Sequence, residues 1–283
     1  MQLGTIQQLP SVNGSAPLAR GLRAWYMTPA QSPGSAILQD LTANGRHAQL
    51  LNSATSFAKN PTANSSFMAT DYNGTNGAAK VLTNNQTTNF FQGGGMFSAW
   101  VCVDTYTVQP RLFDKNQSYA AFTANSSGNL SLSLFQWFDG ASGFKIGIFA
   151  STTPNQYPVP LGTWTHIAFT YNSSSASNVP SIYINGKGIA VSVSSTPSGT
   201  PVSDVSDQLF IGNAGTFNRS FDGRMFDVRF YNGFLPDASF VQAVYQDAFN
   251  GFAGTLATSR RHRQKKRVAT GNRICRVICS GGE

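Results

Sequence analysis

The chain has 283 residues, of which 41% are hydrophobic and only 11% charged. That is enough apolar material for one large core, and too little charge for a disordered polyelectrolyte. Three cysteines are too few for a disulfide framework, and no apolar run reaches the roughly 18 residues of a membrane-spanning helix. The formal net charge of +8 is unevenly placed: residues 1–254 carry 12 Lys/Arg against 11 Asp, and residues 255–283 carry 8 against Glu283 alone. The body is therefore nearly neutral, the tail carries the field, and carboxylate chemistry in the body falls to Asp. MQLGTIQQLP lacks the charged and apolar regions of a signal peptide, so any action outside a cell is expected to follow another exit, such as lysis.

Residues 1–19 are weakly patterned and read as an arm. The body starts with a strand at Gly21–Tyr26, broken at Pro29 to Gly34. Asp40 to Ala48 is an Asx- and Gly-rich turn leading into Gln49-Leu50-Leu51, and residues 52–66 read as a polar loop. Phe67–Tyr72 and Ala78–Leu82 read as strands around Asn73-Gly74, a hairpin signal. Residues 83–95 are a loop. Met96–Val103 is an apolar strand with Trp100 and Cys102 on one face and Phe97, Ala99, Val101 and Val103 on the other. Cys102 reads as a small buried hydrophobe.

Strands follow at Arg111–Asp114 and Tyr119–Phe122. Leu130 to Leu134 alternates with period two, and Asp139-Gly140 turns it back into Phe144–Phe149. In GTWTHIAFTYN, residues 162–172, Trp164, His166, Ala168 and Thr170 share one face, and Thr165, Ile167, Phe169 and Tyr171 the other. Both faces are bulky, so this strand belongs deep in a layered structure. Asn185-Gly186 marks a type I′ hairpin, and Ile189–Val193 continues outward from it. Leu209–Gly212 and Phe221–Tyr231 are the last strands, and Pro236-Asp237 opens a helix with Phe240, Val241, Val244, Tyr245 and Ala248 on one face. About a dozen short strands with no crossover helices predict an all-β, antiparallel two-sheet jelly-roll sandwich. It divides into an arm (1–19), a domain (20–250) and a basic tail (251–283).

Six stretches in order resemble the LamG-like jelly rolls of the concanavalin A-like lectin/glucanase superfamily: GLRAWY, the Asp40–Ala48 turn, FSAWV at 97–101, GTWTHIAFTY at 162–171, IYINGK at 182–187, and LFIG at 209–212 with FDGRMFDVRFYNGFL at 221–235. The arm and tail are similar to those of LamG-like proteins encoded by phages. The resemblance implies the fold and leaves the function open.

The glucanases of that superfamily use a strand-borne Glu-x-Asp-x-Glu set for retaining hydrolysis. The body has no Glu and no two Asp spaced two apart on a strand, so an enzyme is not expected. His166, strand-borne beside Trp164, reads as a packed, hydrogen-bonded histidine rather than a catalytic one. The resemblance implies a Ca2+ option at Asp40 and Asn44, whose alternative role is to cap the turn. Phe226 stands where the family has an Asp, and strict alternation turns Asp227 to the face opposite Phe226. A glycan would stack on exposed aromatics flanked by amide and carboxylate groups. Trp137, Phe138 and Asp139 at the hairpin are the candidates, with Phe90 and Phe91 as others, and the competing role of such aromatics is to plug the sandwich.

In the tail, Arg260, Arg261, Arg263, Lys265, Lys266 and Arg267 form a basic run suited to phosphates, to nucleic acid or to an acidic protein surface. Cys275 and Cys279 have only His262 nearby, short of the four ligands of a structural zinc. The expected function is a non-enzymatic virion-associated structural, decoration or fibre protein that binds surface glycans. Its partners would be other virion proteins or further copies of itself. A free lectin or adhesin at a bacterial surface is the alternative, and a diverged glycoside hydrolase a more distant third. Deleting residues 258–283 is expected to leave the melting temperature within about 2 °C and to lower the salt needed to elute the protein from heparin. A large fall in melting temperature would make the tail structural.

Overall fold

The period-two patterns become strands, and the bulky-on-both-faces strand becomes a buried one. The computed structural model describes residues 12–29, 36–58, 60–62, 67–82, 89–124, 130–140, 144–150, 159–250 and 252. In chain order the strands are β1 (Leu22–Pro29), β2 (Ile37–Asp40), β3 (Ala48–Leu51), β4 (Thr55–Ala58), β5 (Phe67–Asn73), β6 (Ala78–Val81), β7 (Gly95–Thr105), β8 (Arg111–Asp114) and β9 (Ser118–Ala124). They continue as β10 (Leu130–Trp137), β11 (Phe144–Ala150), β12 (Thr165–Tyr171), β13 (Ser181–Ile184), β14 (Lys187–Ile189), β15 (Ser192–Val193), β16 (Phe210–Ile211) and β17 (Asp222–Asn232). One helix, α1 (Ala238–Asp247), follows.

Two antiparallel sheets result. In the first, β17 is central: β7 runs along one side of it, and β5 and then β1 share the other. β12 lies against β7, followed by β13 and β14. The second sheet runs β3-β6-β16-β8-β9-β10-β11-β15. β2 joins the two, pairing with β1 through Gln39 and Asp40 and with β3 through Ile37 and Leu38.

Between the sheets, Phe97, Ala99, Val101 and Val103 of β7 and Ile167, Phe169 and Tyr171 of β12 meet Leu112, Phe113, Phe122, Leu132 and Leu134 of the second sheet. Burying each large side chain contributes about 1.5–3 kcal/mol. The loop aromatics Phe90 and Phe91 join this core, ring against ring at 4.2 Å. They therefore plug the sandwich and are not glycan platforms. The outer face of the first sheet carries Trp25, Trp100, Phe226 and Tyr231, and α1 covers it with Val241 and Val244. Asp237 caps this helix by accepting from the Phe240 N–H at 2.8 Å. Leu18, in a 3-10 turn at Pro17–Ala19, is buried in the same layer, as is Phe252 just beyond α1. Among the described residues no helix is long and apolar enough to cross a membrane.

Asn185 and Gly186 both have positive φ, as the I′ turn between β13 and β14 requires. The turn also locks onto β12, because the Asn185 side-chain oxygen accepts from the His166 N–H at 2.9 Å while the Asn185 N–H donates to the His166 carbonyl at 2.8 Å. Asn73-Gly74, the other hairpin signal, makes no hairpin. β5 belongs to the first sheet and β6 to the second. The Asn73 side-chain oxygen instead accepts from the N–H groups of Thr75, Asn76 and Gly77, forming a corner between the layers. The stretch read as a polar loop at 52–66 contains β4, which pairs with β5.

A bulge between Phe226 and Arg229 interrupts the β17–β7 register, with Asp227 at φ 55°. It shifts side-chain parity by one. Asp227 therefore lies on the same side as Phe226, against the expectation from strict alternation. There it accepts from Trp25 Nε1 at 2.6 Å and from Arg229 Nε at 2.7 Å, and Arg229 Nη2 donates to Asp247 of α1 at 2.8 Å. All three charged side chains are fully buried. Removing one member of such a cluster leaves an uncompensated buried charge, so Arg229→Met is expected to cost about 3–5 kcal/mol. This would appear as a fall of about 10 °C or more in melting temperature. A variant melting within 2–3 °C of the parent would show that the cluster does not anchor the helix.

Candidate functional site

Alternation on β9 and β10 sends Ala120, Phe122, Leu132 and Leu134 inward, leaving Tyr119, Phe135 and Trp137 on the outer face of the second sheet. On β8 a bulge between Arg111 and Phe113 does more: Leu112 and Phe113 both enter the core, and Arg111 and Asp114 both face out. On β16 Ile211 points in and Phe210 out. All of these outward side chains except Phe135 line a groove of about 480 Å³. Its remaining walls come from Asn116 in the β8–β9 turn, from Asp207 and Gln208 before β16, and from residues 214–216, 218 and 219 after it.

Each wall is fastened. Tyr119 is flanked by the Arg111 guanidinium at 3.8 Å from its ring centroid and by the Phe135 ring at 4.3 Å, nearly parallel. Arg111 Nε donates to Asp114 at 3.1 Å, and the Asn116 N–H donates to the other Asp114 oxygen at 2.8 Å. Burial still holds the Asp114 carboxyl above its ordinary pKa. Asn116, at φ 60°, reaches Asp207 with its side-chain amide at 3.5 Å. The loop after β16 is gathered around buried Asn213, whose side-chain oxygen accepts from the N–H groups of Ala214 and Arg219 and whose amide donates to the Gly77 carbonyl. Beneath the groove Lys115 Nζ meets Asp204 at 3.0 Å, both buried, and the Asp207 N–H donates to the Asp204 carbonyl.

Trp137 is the large aromatic most open to solvent here, 39% exposed. Its backbone is held on both sides, by the Gln117 carbonyl and the Val202 N–H, each at 2.9 Å. Phe138 is buried and bridges to Pro201. The Asp139 carboxylate accepts from the Thr200 N–H and hydroxyl, each at 2.7 Å, closing the hairpin end. Of this expected trio, only Trp137 lines the groove. The other lining residues were not singled out from sequence, although the outward parity of Tyr119 and Trp137 can be read from the alternation of β9 and β10.

The Asp40 turn, where the family resemblance implies a Ca2+ option, is closed by hydrogen bonds. One Asp40 oxygen accepts from the N–H groups of Trp25 and Thr42, the other from the N–H of Arg46, and the Thr42 hydroxyl lies 2.8 Å from both. The Asn44 amide donates to the Arg23 carbonyl at 2.8 Å. Both Asp40 oxygens are engaged by hydrogen-bond donors, as a turn cap requires. Among the described residues no group of three His, Cys, Asp or Glu is placed to hold a metal. The basic run Arg260–Arg267 and Cys275 and Cys279 lie outside the described residues.

The family model Laminin_G_3, of the concanavalin A-like lectin/glucanases superfamily, matches residues 73–239, more than half of the chain. The chain belongs to this family. A search of curated proteins finds no match. Among solved structures it is similar to domain 4 of AbnA, a GH43 extracellular arabinanase from Geobacillus stearothermophilus, in complex with arabinotriose: 18% identity, TM-score 0.54, covering 80% of this chain and 98% of that one. It is also similar to the receptor-binding domain of botulinum neurotoxin type G (13% identity, TM-score 0.51, 81% and 51% covered) and to Trypanosoma rangeli sialidase in complex with 2,3-difluorosialic acid (15% identity, TM-score 0.50, 81% and 33% covered). The chain thus spans half of the toxin domain and a third of the sialidase. At these identities the likeness is one of fold.

His166 is fully buried on the outer face of the first sheet, its ring 5.5 Å from Trp100 and 5.6 Å from Tyr245 of α1. Neither ring nitrogen has a hydrogen-bond partner among the described residues, so the histidine is packed but not hydrogen-bonded as expected. Burial, assisted by the Arg229 charge, pushes its pKa down to about 3. It folds neutral and must unfold to take a proton, so it costs stability as pH falls from about 6.5 towards 3. Asp227 works the other way: burial raises its pKa to about 6, and it adds stability as pH falls from 6 to about 4. His166→Leu removes the first effect alone. Its melting temperature is expected to fall less than the parent's between pH 6.5 and 4, and superimposable pH profiles would refute the assignment.

Proposed function

We propose that the protein is a non-enzymatic glycan-binding module whose ligand lies in the groove on the outer face of the second sheet. The observation that carries this reading is the position of Trp137, exposed and held by its backbone in a groove that the amide and carboxylate groups of Asn116, Asp207 and Asn218 also line. A sugar needs that combination: an apolar face on which its C–H groups stack, and planar polar groups for its hydroxyls. The groove volume falls within the usual range for small-ligand sites. That the arabinanase domain of the same fold is in complex with arabinotriose supports the reading. A binding role is favoured over hydrolysis because Asp114 is engaged by Arg111 and the Asn116 N–H.

The wider proposal sets this module on a virion, as the phage-like resemblance of arm and tail suggests. Its absence from purified particles by mass spectrometry would remove that setting and leave the groove untouched. For the groove itself, Trp137→Ala is expected to weaken binding to an immobilised glycan panel by at least about tenfold, with the melting temperature within a few degrees of the parent. Chelator is expected to leave binding unchanged. Unaltered binding by Trp137→Ala would move the site elsewhere.

A further inference from the structure

The charges around the groove are balanced in number, two guanidinium groups against two carboxylates. Arg111 is held by Asp114 and by the Tyr119 face. Arg219 sits beside the Val108 carbonyl, 3.4 Å from Nη1. The two carboxylates, Asp114 and Asp207, offset these two guanidinium groups. Lys80, opposite Phe210 on β6, lies outside the lining, and Lys115 is buried against Asp204. A ligand carboxylate entering here would meet two protein carboxylates, with Arg111 already engaged and Arg219 alone left to compensate its lost hydration. Hydroxyl groups face no such cost, because Asn116, Asn218, Thr216 and Asp207 offer donors and acceptors at the groove wall.

The groove is also long in one direction. Its lining runs from Phe210 on β16 through Asp114 on β8 and Tyr119 on β9 to Trp137 on β10. Four adjacent strands at roughly 4.8 Å spacing make about 14 Å, longer than one sugar ring. Resting on the glycan-binding reading above, we propose that the ligand is a neutral oligosaccharide of more than one unit lying across the strands, and that Asp207 is a specificity determinant that excludes acidic sugars.

The test uses the full chain with neutral trisaccharides built from glucose, xylose or arabinose, set against sialyllactose and trigalacturonate, by calorimetry at low and high salt. A neutral trisaccharide is expected to bind more tightly than its monosaccharide and with little salt dependence, and the acidic probes are expected to bind at least about tenfold more weakly than the neutral ones. Asp207→Asn leaves the groove with one excess positive charge. It should strengthen binding of the acidic probes by about threefold at low salt, a gain that disappears at high salt. Asp207→Ser, which removes the same charge, should reproduce this gain, which preserves the test if the first variant folds poorly. Preferred binding of acidic probes by the parent, or a monosaccharide that binds as tightly as its trisaccharide, overturns this inference and leaves the glycan reading standing. Binding of none of the probes, together with a blank glycan panel, overturns both.

Discussion

The structure depends on one buried cluster, the Arg229 guanidinium held between Asp227 on its own strand and Asp247 on the helix. Trp25 of the opening strand donates to the same Asp227, and its ring lies 4.7 Å from the Arg229 carbon. Phe252 packs edge-on against Trp25 at 5.4 Å. The first strand, the last strand, the helix and the chain beyond it therefore meet at one charge. Buried ion clusters contribute little net stability against an apolar replacement, but they are intolerant of partial removal. Their value here is geometric: only one placement of the helix satisfies the guanidinium.

That anchoring leaves the two faces of the sandwich with different tasks. The first sheet gives its outer face to the helix, and its polar groups there are few and enclosed. His166 is the clearest case, held beneath Tyr245 and beside Trp100. The second sheet has no helix over it among the described residues and keeps its outer face for polar and aromatic side chains. The bulge on β8, by sending two consecutive residues into the core, turns both Arg111 and Asp114 outward. Without it one of the pair would be lost to the interior, and Tyr119 would lack one flank.

Much of the scaffold was legible because it rests on short-range signals. The alternation of Met96–Val103 and Thr165–Tyr171 predicts which residues enter the inter-sheet core, and Asn185-Gly186 predicts a turn that positive φ values bear out. Asn73-Gly74 shows the limit of such signals. The dipeptide supplies the same backbone freedom, but whether the flanking strands pair is decided by which sheet each can join. The groove was legible only at Trp137. Its other walls come from segments up to about a hundred residues apart, brought together by register and by the Asn213 loop.

Composition, periodicity and turn chemistry by themselves determined the all-β class, the buried identity of the strand at 165–171, and the lack of a glucanase Glu set in the body. These follow from local sterics and from the cost of exposing apolar surface. Only the tertiary structure decided the face on which Asp227 lies, because a single inserted residue in β17 reverses the parity that a linear pattern assumes. It also decided that Phe138 is buried and that Trp137, its neighbour, faces the groove that Arg111, Asp114 and Asp207 also line. A site built across four strands depends on their mutual register, which packing between the sheets sets and no single stretch of the chain contains.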